Sequence, residues 1–278
     1  WINSAPKHIL LYQYFGWDVP VLCHMPLLRN PDKSKLSKRK NPTSIGYYQA
    51  MGYLPEAMLN YLGMMGWTMP TGEEMFSLQE MADSFDISRV SLGGPIFDIQ
   101  KLDWLNGKYI RETLDDQQFA KLFAEWAFSA DKIQRIVPLL KQRVERFCDV
   151  AELGSFFISA NPTLSVGLFE HKVLTAESQI KILQFSLWHL EALETWNREF
   201  IESSLQGLAG QLDLKIRDFL FPLFLAISGK AVSTSVIESI DILKLDISRA
   251  RLRAAIDMLG GISKKMAKNF EREYRSLD

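Results

Sequence analysis

The sequence predicts a mainly α-helical protein with a small mixed α/β piece at its start. Three observations carry this. Apolar residues recur at helical spacing through most of the chain beyond residue 43. Capping residues, prolines and glycines punctuate those segments at helix-length intervals. A short β-branched run bounded by prolines, VPVLCHM (Val19–Met25), lies near the N-terminus and reads as a strand.

The elements follow in order. TSIGYYQAMG and PEAMLNYLGMMGW read as short helices, with Pro55 in the first turn of the second, where its missing N–H costs nothing. SLQEMADSF reads as another, with Ser77 and Glu80 spaced as a capping box. FDIQKLDWLNG predicts a helix capped by Asp98 and stopped by Gly107. DDQQFAKLFAEWAF places Phe119, Leu122, Phe123 and Trp126 on one face. IQRIVPLLKQRVERF does the same with Ile133, Ile136, Val137, Leu140, Val144 and Phe147, and Pro138 predicts a kink or a late start. The longest predicted helix runs from Ala176 to about Leu208, with Leu183, Leu187, Leu190, Leu193, Trp196 and Phe200 as its buried stripe. Helices near 215–228, 233–243 and 246–259 follow, and Gly229 and Gly260 are placed to end two of them. The apolar pattern breaks near 110–116, so domains are expected at 1–42, 43–113 and 114–278, the last with a second break near 205–214.

Composition sets limits on function. The 278 residues are 47% hydrophobic and 23% charged, an ordinary globular balance. The net charge of -1 means that a nucleic-acid or membrane role needs local patches. Two cysteines without close spacing, Cys23 and Cys148, fit reduced thiols and a cytoplasmic protein without a metal site or disulfide framework. The longest apolar stretch, FLFPLFLAI, is too short to cross a membrane and contains Pro222. The chain opens mid-pattern, without Met or a signal peptide, as a piece of something longer would.

One stretch carries chemistry: NPDKSKLSKRKNP (Asn30–Pro42), in which five of the eight residues from Lys33 to Lys40 are basic. Lysine ammoniums are flexible point charges with three donors each. Two of them in a loop after a strand can follow a polyphosphate as charge moves onto a leaving pyrophosphate. The small Ser37 admits the backbone and Leu36 anchors it. The competing reading is a solvated basic loop.

KLSKR resembles the KMSKS signature of class I aminoacyl-tRNA synthetases. Beside it, W-x-x-S-x-P-K-H-x-x-L-Y, GWDVPVLCHMPLL, GYLPEAMLNYLGMMGW and FDIQKLDWLNGKYIR stand in the order and spacing of bacterial glutamyl-tRNA synthetases, densely over residues 1 to about 111. The resemblance implies the end of a class I catalytic domain with its KLSKR loop, a stem-contact helical domain, and an all-helical anticodon-binding domain. It implies condensation of glutamate with ATP to glutamyl-adenylate, then transfer to the 3' end of tRNA(Glu), with tRNA(Gln) as a second candidate. Lys35 and Lys38 match the signature lysines, Lys38 being the chief stabiliser of pyrophosphate, with Ser37 and Arg39 completing the loop. His24, Met25 and Leu28 match the adenine-pocket segment, and Trp1 matches a tryptophan near the ATP site. The nucleotide implied is ATP with Mg2+. None of His8, His24, His171 and His189 stands in an HxGH pattern. The chain is therefore expected to be a C-terminal part, monomeric and unable to activate glutamate alone. The alternative is a free-standing tRNA-binding module without chemistry.

The helical half is then expected to read tRNA. Lys132–Arg146 holds five basic residues (Lys132, Arg135, Lys141, Arg143, Arg146) against Glu145 alone, and Lys244–Arg275 holds nine against four acidic ones. Arg143, in LLKQR, resembles the family arginine that reads the first anticodon base. Phe224 stands where the PLRxALTG-like motif usually has an anticodon-reading arginine, and Phe224 in an apolar run reads as core. Two further motifs read weakly: SGKAVST lacks the first glycine of a phosphate loop, and MLGGISKKMAKNF reads as a Gly-ended helix followed by a basic one, with a helix–hairpin–helix grip as the competing reading.

Overall fold

The computed structural model describes residues 1–36 and 42–277. Its first helices are α1 (Ala5–Tyr14), α2 (Ile45–Ala50), α3 (Pro55–Gly63), α4 (Leu78–Ser84), α5 (Ile99–Thr113), α6 (Asp116–Phe128) and α7 (Ala130–Lys141). Then come α8 (Asp149–Gly154), α9 (Ala176–Ala192), α10 (Arg198–Gln211), α11 (Ile216–Ser228), α12 (Val236–Met258) and α13 (Lys264–Tyr274). The chain divides into two compact units, Trp1–Asn41 with Tyr53–Leu114, and Pro42–Gly52 with Asp115–Asp278. The grouping of 43–113 in one domain did not foresee the placement of α2. Tyr48 of α2 is buried, and the Trp126 indole donates to the Ala50 carbonyl at 3.0 Å. Gly52, at φ +83°, leaves the Trp126 ring 3.3 Å from where a Cβ would stand.

The first unit is built on α3 against α5. Ala57, Met58 and Tyr61 face Leu102, Leu105 and Tyr109, all buried. Polar atoms fix their register. The Tyr61 hydroxyl donates to the Asp98 carbonyl at 2.8 Å and accepts the Asp98 N–H at 2.7 Å. Burial pushes its pKa up to about 12. Asn60 Oδ1 accepts the Phe76 N–H at 3.0 Å and lies 2.9 Å from the Tyr109 hydroxyl, so α3, α5 and the segment before α4 share one buried amide. The expected caps form here. Ser77 and Glu80 make both halves of a capping box, and Asp98 Oδ1 accepts from Gln100 and Lys101. Gly107 does not end α5, which runs on to Thr113. Its φ is not left-handed, and the missing Cβ leaves room for the Arg111 guanidinium.

Val19–Met25 is not a strand. Among the described residues the only β-bridges join Arg29 to Lys35 and Arg29 to Ile96. A run with strand composition needs a neighbouring backbone to pair with, and Val21 is fully exposed. The unforeseen α1 likewise buries none of its residues.

In the second unit one core runs through α9, α10, α11 and α12, and it crosses residues 205–214 through Leu205, Leu208 and Phe219. The long helix expected from Ala176 is two helices. Leu193 leaves helical geometry, and Asn197 caps α10 by accepting the Phe200 N–H at 2.9 Å. Leu183, Leu187 and Leu190 are buried as expected, while Phe200 is exposed. The last two predicted helices are separated as expected: within Val236–Met258 the helical geometry breaks at Lys244, whose φ is +65°. Helix α7 stops at Lys141, because Asp149 Oδ2 captures the N–H groups of Glu145 and Arg146 and folds the chain into a turn.

Arg251 of α12 lies at the centre of this unit, with no exposed surface. Its guanidinium donates to the carbonyls of Ile227 (2.6 Å), Phe156 (2.6 Å), Ser159 (2.9 Å) and Ala160 (3.0 Å). Burial pushes its pKa down to about 10, so it stays charged at neutral pH. These contacts tie the C-terminal end of α11 and the 156–160 segment to α12. Arg251→Met strands two buried acceptors, the Ile227 and Phe156 carbonyls, each worth about 1–3 kcal/mol, and frees two partly buried ones. It is expected to lower stability in urea unfolding by about 3 kcal/mol or more, with Arg251→Lys intermediate. An unchanged midpoint would contradict this role.

Candidate functional site

The basic stretch begins in a pinned hairpin. Asn30 opens a turn in which its carbonyl accepts the Lys33 N–H at 2.8 Å and its N–H donates to the Ser34 carbonyl at 2.8 Å. Pro31 suits the second position of such a turn, and Lys33 takes a left-handed φ of 63°. Asp32 Oδ1 accepts the Ser34 N–H at 2.9 Å, an Asx turn. The buried Asn30 amide donates to Ser34 Oγ at 2.9 Å and to the Lys35 carbonyl at 3.3 Å. The returning arm then pairs Leu36 N–H with the Leu28 carbonyl at 3.2 Å.

Arg29 joins this hairpin to the core of its unit. Its N–H donates to Pro95 and its carbonyl accepts from Phe97 at 2.8 Å. Phe97 in turn stacks edge-on against Tyr61, with ring centroids 5.3 Å apart. Gly94 permits the approach, since a Cβ there would lie 2.5 Å from Arg29 Nε. Lys35 is therefore exposed on a short, braced arm, with Leu36 half-buried beside it. The other expected members of the loop, Ser37, Lys38 and Arg39, lie outside the described residues.

An open groove of about 1020 Å³ in the same unit gathers Trp1, Lys7, His8, His24 and Met25. The Trp1 and His8 rings sit 5.7 Å apart. Leu28 does not line this groove; its carbonyl serves the hairpin instead. Flat rings, a thioether and an ammonium fit a purine and its phosphates. Among the described residues no group of three or more His, Cys, Asp or Glu is placed to hold a metal ion. A second groove, of about 760 Å³, is lined by Glu56, Glu73, Glu74, Glu80 and Glu112 against Lys108, a charge that repels phosphates.

In the second unit the expected RNA residues separate into two kinds. Lys141 ends α7, and Arg143 follows in the turn, its Nη1 donating to the Leu139 carbonyl at 3.0 Å. Arg146 pairs with Asp149 at 3.0 Å but keeps its side chain 75% exposed. The Arg146 N–H leads the bonds that hold the Asp149 carboxyl below the usual carboxylate range. Arg135 is different: it is spent in an ion pair with Asp241 of α12 at 2.8 Å, which also accepts from Lys244 at 3.3 Å. Phe147, expected in a buried stripe, is 95% exposed beside Arg143 and Arg146. The helical period placed it on the wrong side because α7 ends six residues earlier. Phe224 packs against the core, its carbonyl accepting Ser228 Oγ at 2.8 Å. SGKAVST starts on the last residue of α11, which a left-handed Gly229 at φ +69° closes, and its other residues follow the helix without opening another.

The first unit carries a braced lysine arm and an open groove, and the second shows cations and an aromatic ring at one helix end. The "tRNA synthetases class I (E and Q), catalytic domain" family matches residues 1–104, and the "Anticodon binding domain" family matches residues 118–256. The chain belongs to the family of the anticodon binding domain, which matches half of its length. Glutamate–tRNA ligase of Alcanivorax borkumensis is 56% identical over 277 residues, covering 100% of this chain and 56% of that protein. Glutamate–tRNA ligase of a Marinomonas species is 57% identical over 277 residues, again covering 100% and 56%. The chain thus spans about half the length of the curated relatives it matches.

The exposed ring makes a defined prediction. Phe147→Ala is expected to weaken tRNA binding by about 1–3 kcal/mol if an unstacked base lies on it, without moving the unfolding midpoint. Filter binding and thermal melts measure the two, and unchanged affinity would remove Phe147 from the RNA surface.

Proposed function

We propose that this chain is the C-terminal part of a glutamate–tRNA ligase, supplying the lysine loop for adenylate formation and the surface that binds tRNA. In the whole protein a glutamate carboxylate oxygen attacks the α-phosphorus of ATP. The bond to the β-phosphate bridging oxygen breaks, and pyrophosphate leaves. Lys35 and Lys38 neutralise the departing oxygens, and electrostatic help at such a point is worth most where the donors are already in place. The hairpin braced by Asn30 and Arg29 supplies that readiness for Lys35. His24, Met25 and Trp1 line the groove offered to the adenine. The glutamyl group then passes to the terminal adenosine of the tRNA, releasing AMP.

The observation that carries this reading is a pinned arm leading into KLSKR, in a chain matched along its whole length by glutamate–tRNA ligases. Lysine and arginine chemistry in the second unit agrees with RNA: Lys141, Arg143 and Arg146 offer phosphate or base-edge contacts, and Phe147 offers a stacking face. The substrate RNA is tRNA(Glu), with tRNA(Gln) as the competitor to be tested. No helix among the described residues is long and apolar enough to cross a membrane, and the two exposed free cysteines suit the reducing cytosol.

Two measurements test the reading. The chain alone is expected to show no glutamate-dependent ATP–pyrophosphate exchange, and robust exchange would refute the assignment of the chemistry to two parts. It is also expected to bind tRNA(Glu), with Arg143→Ala altering the preference between tRNA(Glu) and tRNA(Gln) transcripts. Equal, weak binding to every RNA would refute base reading by this end of α7.

A further inference from the structure

Helix α13 lies beyond the residues matched by the anticodon-binding family, which end at 256. It carries Lys264, Lys265, Lys268 and Arg272, with Arg275 at its C-cap, and all five are exposed. At 3.6 residues per turn these five fall within an arc of about 100° and along about 17 Å of helix. Phe270, Met266 and Tyr274 fall on the other side. Phe270 is buried, and both Phe270 and Tyr274 meet Phe185 of α9 edge-on, at 5.8 and 5.2 Å. One side of α13 is thus bolted to the core, and the other shows a row of cations to solvent.

Several other cations of this unit are paired. Arg249 pairs with Glu191 and Asp246, Arg253 pairs with Glu191, and Lys181 pairs with Glu273. Among the described residues none of the five cations of α13 has an ion-pair partner. Glu273 is already engaged by Lys181, so Glu271 is the only exposed acid on the helix, and five cations less one anion leave an excess of four in a chain of net charge -1.

The arrangement works against the helix itself. Lys264, Lys268 and Arg272 repel one another at i,i+4 spacing. Lys264 and Lys265 stand in the first turn, where the helix dipole favours anions, and no acid stands there. A polyanion laid along the stripe reverses both penalties.

We propose that the cationic face of α13 is a further docking surface for the phosphate backbone of RNA. The inference rests on the reading that this unit binds tRNA. Phosphates are the partner favoured because the stripe is continuous with a unit of anticodon-binding type and its charges are mostly flexible lysines, which suit a moving backbone better than a fixed carboxylate geometry. No exposed aromatic ring lies among the five cations, so the surface adds affinity and not base reading.

The test compares the full chain with a Lys264→Gln/Lys268→Gln/Arg272→Gln variant, binding tRNA(Glu) transcript over a salt series. The slope of log affinity against log salt is expected to become shallower by about 2–3. Affinity at low salt is expected to fall about tenfold or more, with the preference between tRNA(Glu) and tRNA(Gln) unchanged. The melting temperature of the variant is expected to stay level or rise, since like-charge repulsion is removed; a fall would show that the cations serve the fold and overturn the proposal. An unchanged slope, with tRNA still bound, overturns the docking surface alone. Competition by polyglutamate, with no change in the tRNA slope, overturns it in favour of an acidic protein partner. Failure of the unaltered chain to bind any tRNA overturns the proposed function as well, which an unchanged slope with tRNA still bound does not.

Discussion

A guanidinium that is fully buried and always charged must find acceptors, and Arg251 finds them in the backbone. Four carbonyls drawn from α11 and from the 156–160 segment converge on it. A buried carboxylate would have neutralised one point; four carbonyls position several pieces of chain at once. The apolar core supplies most of the driving force in the second unit, but apolar packing tolerates sliding and rotation. The charge does not. It sets how α12 sits against α11, and α12 in turn receives the Arg135–Asp241 ion pair from α7. The basic end of α7 and the cationic α13 are displayed on this frame.

The first unit solves a similar problem with neutral groups. Asn60, Tyr61 and Tyr109 make buried hydrogen bonds between α3, the segment before α4 and the start of α5. Such bonds contribute little each, yet leaving one unmade is expensive, so they select a single register. The Tyr61 hydroxyl meets the backbone at Asp98, and the Phe97 ring beside it leads to Arg29. A chain of contacts therefore runs from a packed helix pair to the arm that carries Lys35. Catalytic electrostatics depends on charges that do not need to reorganise, and that chain of contacts is how a lysine on a loop acquires a fixed base.

Local chemistry was legible in the sequence and long-range pairing was not. Ser77 with Glu80, and Asp98 ahead of its helix, could be read as caps because donor and acceptor are three residues apart or fewer. KLSKR stands out by its likeness to a known signature and not by spacing, and only Lys35 and Leu36 of it lie among the described residues. The commitment of Arg135 to Asp241, the convergence on Arg251 and the return of α2 to the second unit depend on residues far apart in the chain. Periodicity failed where a short polar contact interrupts an apolar pattern. Asn197 divides the α9–α10 region, and Asp149 ends α7 so that Phe147 points to solvent. Composition failed at Val19–Met25, where a strand-like run has no neighbouring backbone to pair with among the described residues.

Both units thus hold positive charge on braced supports. Lys35 stands on a hairpin tied to the α3–α5 core, and the cations of the second unit stand on helices tied to Arg251 and Phe185. In the function proposed above, ammonium groups at 35 and 38 stabilise the leaving pyrophosphate. The most direct measurement is the rate of glutamyl-adenylate formation by the full-length ligase carrying Lys35→Gln and Lys38→Gln together. A loss of about a hundredfold or more, with tRNA affinity retained, is the predicted result; an undiminished rate would contradict it.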